Sequence, residues 1–162
     1  MVTLRESGDP GFEERQLGAI SDLLGGEKVF GKKQGPRTPL EVHEFLVGGL
    51  PGRSILYLVD DLTVLRWADL EPAMGMSLRT FQRLKHDRRK TLSHDQGSRA
   101  WKFAEVLALA SSVFGSRESA EQWLGKPATG LDGHRPVDLL ATQTGTELVE
   151  TFLQRLDHGV YV

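Results

Sequence analysis

The 162 residues carry a formal net charge of −2, with 39% apolar residues, 26% charged residues and no cysteine. That composition supports one large domain or two small ones around a real core; it excludes disulfides and thiolate chemistry, and so fits a reducing, intracellular setting. No apolar run approaches the ~20 residues of a membrane span, and the polar, acidic start MVTLRESGDPGFEER is unlike a signal peptide, so a cytoplasmic protein is expected.

In chain order, residues 12–24 place apolar side chains at 12, 17, 20, 23 and 24 and are closed by Gly25 and Gly26, the pattern of a short first helix. Residues 26–37 are rich in Gly and Lys and read as a linker. Thr38, Pro39 and Glu41 combine an N-cap, a proline at the first helical position and a capping-box glutamate. The helix they open runs to about Val47 and is stopped by Gly48 and Gly49. Further helices are expected over 51–61 and 64–73. Pro72 removes an amide donor late in the second of these and should kink or end it. The one β-rich run, residues 55–59, lacks clean alternation. Ser93 and Gln96 form another capping box; the helix beyond it, 94–114, is apolar on nearly every side after Phe103 and is expected to be the buried central pillar. Short helices over 117–124 and from Pro136 come next. A last helix over 145–158, with a start signal at 144–147, should bury Leu148, Val149, Phe152, Leu153 and Leu156. The chain reads as all-α, with no internal repeat.

The middle of the chain breaks the acidic trend. Residues 79–102 hold eight Lys/Arg against Asp87 and Asp95, a net of +6, while the segments on either side are each at −4. A basic centre between acidic ends suggests a local site for a polyanion; the competing reading is a solvated helix face. Within it, one helix ends near Met74, Gly75 allows a tight turn, and a second helix starts at Ser77. Leu78, Phe81 and Leu84 form its apolar face, and Arg79, Gln82, Arg83 and His86 project from the other side. A major-groove recognition helix needs that division. Arginine binds guanine bidentately and glutamine binds adenine; Ser77 and Thr80 sit where a helix start meets phosphate. Lys85 belongs to the same surface, and Arg88, Arg89 and Lys90 extend it as a backbone clamp supplying salt-dependent affinity. His86 is a further candidate for phosphate contact.

The last fifty residues carry a second set of landmarks: Phe114-Gly115, Ala120, Trp123-Leu124, Pro127, Leu131-Asp132-Gly133, Pro136, Leu139-Leu140, Thr142, Gly145, Val149, Leu153 and the ending Gly159-Val160-Tyr161. Over residues 114–161 this pattern resembles the C-terminal domain of the Xre/MbcA/ParS-type antitoxins, and residues 50–113 are similar to the Xre-type helix-turn-helix that precedes it. The resemblance implies an N-terminal extension with one short helix (1–37), a helix-turn-helix DNA-binding domain (38–115) and a toxin-binding domain (116–162). It also implies the partners: a RES-domain toxin that degrades NAD, and operator DNA. In this family a homodimer within a larger toxin–antitoxin complex represses the shared operon. The final residues, His158, Gly159, Val160, Tyr161 and Val162, would lie across the toxin's active-site entrance, with Arg135 a further contact. Gly159 suits a tail that leaves the helix, and Tyr161 with the terminal carboxylate resembles what a nucleotide site accepts. The competing reading of the tail is a frayed terminus. Arg135 reads equally well as simply exposed.

Other residues have plainer readings. Trp67, Trp101 and Trp123 lie on apolar helical stripes and are expected in the core. Gly133 and Gly145 suit turn geometry and a helix start. The five histidines lack metal-ligand spacing, so neither a metal nor another cofactor is expected. No glycine-rich phosphate loop succeeds a strand, and the paired carboxylates 13–14 and 60–61 diverge on a helix, so catalysis is not expected. The alternative function is a stand-alone helix-turn-helix regulator without a toxin.

Overall fold

The structure, a computed structural model, describes residues 10–159. Among them are ten α-helices and no named strand: α1 (Pro10–Leu23), α2 (Glu27–Phe30), α3 (Pro39–Gly48), α4 (Arg53–Asp60), α5 (Trp67–Met74), α6 (Leu78–His86), α7 (His94–Phe114), α8 (Arg117–Leu124), α9 (Pro136–Leu139) and α10 (Gln143–Asp157). The all-α expectation holds.

Helix starts obey the capping signals, with two adjustments. Ser93 and Gln96 form a reciprocal capping box at α7. Thr38 caps α3 by accepting the Glu41 amide at 3.2 Å, but the Glu41 carboxylate reaches one residue further and accepts the Arg37 amide at 2.7 Å. The start signal expected at 144–147 is displaced. Thr142 is the N-cap of α10, accepting the Gly145 amide at 3.0 Å, and the helix begins at Gln143. Gly145 therefore lies inside the first turn, where a Cβ would run into the carbonyl oxygen of Leu139.

Three further expectations are corrected. Residues 26–37 are not a plain linker: they fold into α2 and a short 3-10 turn, Gly31–Lys33, and the Phe30 ring packs edge-on against Phe45 of α3 at 5.4 Å. Pro72 does not end α5, which continues to Met74; the proline removes one intrahelical donor, and the packed turns around it hold the helix. Leu78 and Leu148, both assigned to buried faces, are exposed at 48% and 54%. Each lies to one side of a narrower stripe, Phe81 and Leu84 in α6, Val149 and Leu153 in α10, which carries the burial instead.

The 21-residue α7 is the pillar of the fold: Ala100, Trp101, Phe103, Ala104, Val106, Leu107 and Ala110 are buried along it, and α1, α3, α5, α8 and α10 pack around it. The hydrophobic core runs as one cluster from Ile20 to Leu153, without a break at residue 115. Trp67 and Trp101 are buried, as expected. Trp123 is half-buried between the rings of Phe114 (5.2 Å) and Phe152 (5.8 Å).

Candidate nucleic-acid interface and C-terminal module

The helix-turn-helix is assembled from α5 and α6. Gly75 closes α5 in the left-handed conformation (φ 58°, ψ 34°), and its amide donates to the Glu71 carbonyl at 3.0 Å. Met76 turns into the core. Ser77 then caps α6, its hydroxyl accepting the Thr80 amide at 3.2 Å and lying 3.1 Å from the Thr80 hydroxyl. Three residues thus reverse the chain. The two helices are locked by a face-to-face stack of Trp67 on Phe81, centroids 4.0 Å apart and planes 11° from parallel, and such pairs stabilise by ~0.5–1.5 kcal/mol beyond area burial.

With Phe81 and Leu84 buried, the remaining surface of α6 is polar except for Leu78 at its start. Arg79, Gln82, Arg83, Lys85 and His86 are exposed and Thr80 is half-buried. The Lys85 ammonium lies 5.1 Å from the Phe81 ring centroid, so its stem folds back over the turn. Arg83, Lys85 and His86 also occupy the last turn of α6, where positive charge complements the helix dipole. Arg88, Arg89 and Lys90 are exposed on a loop that is nevertheless fixed: the Gly52 amide donates to the Lys90 carbonyl and the Leu92 amide to the Leu50 carbonyl, both at 2.8 Å. Among the described residues no carboxylate forms an ion pair with Arg79, Arg83, Lys85, Arg88, Arg89 or Lys90. A cationic surface left unneutralised is what a phosphate backbone attracts. Of the residues that the sequence placed on this face, Ser77, Arg79, Gln82, Arg83, Lys85, His86, Arg88, Arg89 and Lys90 are exposed and Thr80 is half-buried.

The other two cations of the basic window serve the fold. Arg99 pairs with Asp95 at 3.0 Å and reaches the carbonyls of Ala73 (3.5 Å) and Ala141 (3.4 Å) beneath the turn. Lys102 pairs with Glu105 at 2.8 Å and Glu150 at 3.0 Å. Burial alone would lower the Lys102 pKa, but the two carboxylates outweigh it and hold it above its ordinary value.

In the C-terminal part, Arg135 precedes α9 and donates from Nη2 to Asp69 Oδ1 at 2.7 Å, with a third of its side chain exposed. Burial would raise the Asp69 pKa; the hydrogen bond from the Arg66 amide and the Arg135 guanidinium together hold it below the usual carboxylate value. His158 and Gly159 are exposed beyond the end of α10, and Gly159 has φ 72°. Val160, Tyr161 and Val162 lie outside the described residues. Sequence reasoning missed Glu121. It is fully buried in α8 and accepts the backbone amides of Thr63, Val64 and Leu65, each at 3.0 Å, and the Thr63 hydroxyl at 3.3 Å. Its one signal is position, between Ala120 and Leu124 on the buried side of a short helix. Among the described residues no three His, Asp or Glu side chains gather as a metal site, and no helix is long and apolar enough to cross a membrane.

Residues 41–105 match the family model of the antitoxin Xre-like helix-turn-helix domain. Residues 109–159 match that of the antitoxin Xre/MbcA/ParS C-terminal toxin-binding domain. Among curated proteins the chain is similar to an antitoxin Xre of Pseudomonas putida, 35% identical over 75% of this chain and 74% of that one. An antitoxin Xre of Yersinia enterocolitica is 33% identical over 70% and 86%, and one of Photorhabdus laumondii 26% identical over 81% and 85%. A helix-turn-helix with an unneutralised outer face, joined to a module that matches a toxin-binding domain and carried in a sequence aligned with these relatives over most of both chains, shows that this chain belongs to the Xre antitoxin family.

Proposed function

We propose that this antitoxin neutralises a RES-domain, NAD-degrading toxin and represses its own operon, acting by binding rather than by catalysis. Residues 38–115 bind operator DNA as part of a homodimer, and residues 116–162 hold the toxin; residues 1–37 are an extension. Arg79, Gln82 and Arg83 read base edges, while Ser77, Thr80, Lys85, Arg88, Arg89 and Lys90 hold the phosphate backbone. His158, Gly159, Val160, Tyr161 and Val162 block the toxin's active-site entrance, and the exposed part of Arg135 contributes alongside. The protein works in the cytoplasm, where both NAD and the promoter are found.

The observation that carries this reading is the pairing of two features in one chain: an α6 surface whose cations form no ion pair among the described residues, and a C-terminal module matching a toxin-binding domain. The test is co-expression with the product of the adjacent gene. The expected outcome is a co-purifying complex, cellular NAD restored to the level without toxin, and retarded migration of a duplex carrying the protein's own promoter. NAD loss that continues despite the antitoxin defeats the neutralisation reading. Failure to retard the promoter duplex defeats the repression reading.

A further inference from the structure

The recognition helix does not rest on the helix-turn-helix domain alone. Helix α5, which holds α6 through the Trp67–Phe81 stack, is tied at three points along its length by groups that involve the C-terminal module. At its entrance, the buried Glu121 carboxylate of α8 collects the amides of Thr63, Val64 and Leu65. In its first turn, Asp69 is paired with Arg135 at 2.7 Å. At its end, Arg99 of α7 spans the carbonyls of Ala73 and Ala141, and the Arg99 side chain crowds the position of a Cβ at Gly75, with atoms 3.0–3.2 Å from it. Helix α9 packs along α5 between these ties. Glu121, Arg135 and Ala141 fall inside the toxin-binding match, while their partners fall inside the helix-turn-helix match.

We infer that Glu121 and the Asp69–Arg135 pair are positioning groups for DNA recognition: they fix α5, and through it the angle at which α6 presents Arg79, Gln82 and Arg83 to the major groove. The inference rests on the DNA-binding reading of α6. Neither tie uses a side chain of α6 or of the 88–90 loop, so each acts on recognition only through helix placement. Glu121 is suited to the task because three amides that converge on one buried carboxylate depend on it as their acceptor, and leaving them unsatisfied is costly. A small rotation of α6 spoils a bidentate base contact, whose donors must lie at hydrogen-bond distance and angle, but leaves a phosphate contact by a flexible Lys or Arg largely intact. Loss of a tie therefore lowers specific affinity while sparing non-specific affinity.

The test uses full-length Glu121→Ala, which removes the acceptor of all three amides, and Asp69→Asn, each titrated by fluorescence anisotropy against a duplex bearing the protein's own promoter and against an unrelated duplex of equal length. Circular dichroism verifies folding. Each variant is expected to lose about 5- to 150-fold in affinity for the promoter duplex, the span of one good base contact. Affinity for the unrelated duplex and the salt dependence should stay at wild-type values, since the phosphate contacts are kept. Asp69→Glu, which keeps a carboxylate opposite Arg135, should recover most of the loss. Folded variants with the wild-type ratio between the two duplexes overturn the inference. If Glu121→Ala does not fold, Asp69→Asn decides the question, because it removes one partly exposed ion pair and no core contact. A wild-type protein without preference for the promoter duplex, indistinguishable from Arg79→Ala, instead overturns the DNA-binding reading itself, and this inference with it.

Discussion

Arg79 and Arg83 occupy positions from which they can be removed without touching the core, because Phe81 and Leu84 carry the burial of α6. Arg79→Ala should therefore weaken binding to the specific promoter duplex by ~1–3 kcal/mol, the worth of a bidentate base contact, with an unchanged thermal midpoint. A gel-shift titration with wild-type affinity would remove Arg79 from the site. Arg88 differs in kind. It stands on the loop that Gly52 and Leu50 hold in place and beyond the end of α6, and the proposed function gives it a phosphate contact. Arg88→Ala should weaken binding to all duplexes alike and reduce the slope of log affinity against log salt by about one, whereas Arg79→Ala should alter the preference among sequences. Measuring both duplexes at several salt concentrations separates the two roles.

At the scale of the element, the sequence shows most where a local rule acts alone. The caps at Ser77, Ser93 and Thr38 and the glycine stop at Gly75 depend on neighbours within four residues, and each is found where local chemistry puts it. The buried stripe of Phe81 and Leu84 and the exposed cations of α6 are legible for the same reason: both are read from the periodicity of one helix. The failures have a common cause in contacts distant along the chain. Leu148 and Leu78 have helical spacing suited to burial, yet the neighbouring helices cover only the stripe beside them. Pro72 breaks a local rule and is tolerated because α5 is packed against α6, α7 and α9. Glu121 looks like a surface acid in RESAEQWL, since its partners lie 56 to 58 residues away. Gly145 is a mixed case: a helix start near it is legible in the sequence, but the close approach of the Leu139 carbonyl is not. Gly145→Ala should accordingly cost ~1–3 kcal/mol, the usual penalty of overpacking, although alanine favours a helix; a urea midpoint at or above wild type would show that α10 shifts freely to accept the methyl group.

At the scale of the whole molecule, the two halves share one core and are joined by ionic ties, among them the Asp69–Arg135 pair. The Asp69 carboxyl titrates below its ordinary value of 3.8 when folded. Its stabilising contribution is therefore present in full above that value and disappears as pH falls through the lower folded one. The stability gap between wild type and Asp69→Asn should be open at pH 7 and narrow below about pH 4, as read from urea midpoints at each pH; a gap that is constant with pH would mean the ion pair contributes nothing.

The far end of the same molecule behaves differently. Helix α10 is anchored by Val149 and Leu153, its last turn is half-buried or exposed, and His158 and Gly159 are exposed. Among the described residues the buried core reaches no further along the chain than Leu153. If the proposed tail closes the toxin's entrance, its function and the fold's stability are separable; a frayed terminus would match that as regards stability but not as regards function. Deleting residues 160–162 should leave the thermal midpoint and promoter binding at wild-type values while abolishing protection of cells that express the toxin. Under the same reading the truncated protein should still co-purify with the toxin through the rest of the C-terminal module, whose buried core ends at Leu153 and is untouched by the deletion. Retained protection by the truncated protein would show that neutralisation comes from the helices, and that Tyr161 does not enter the toxin's site.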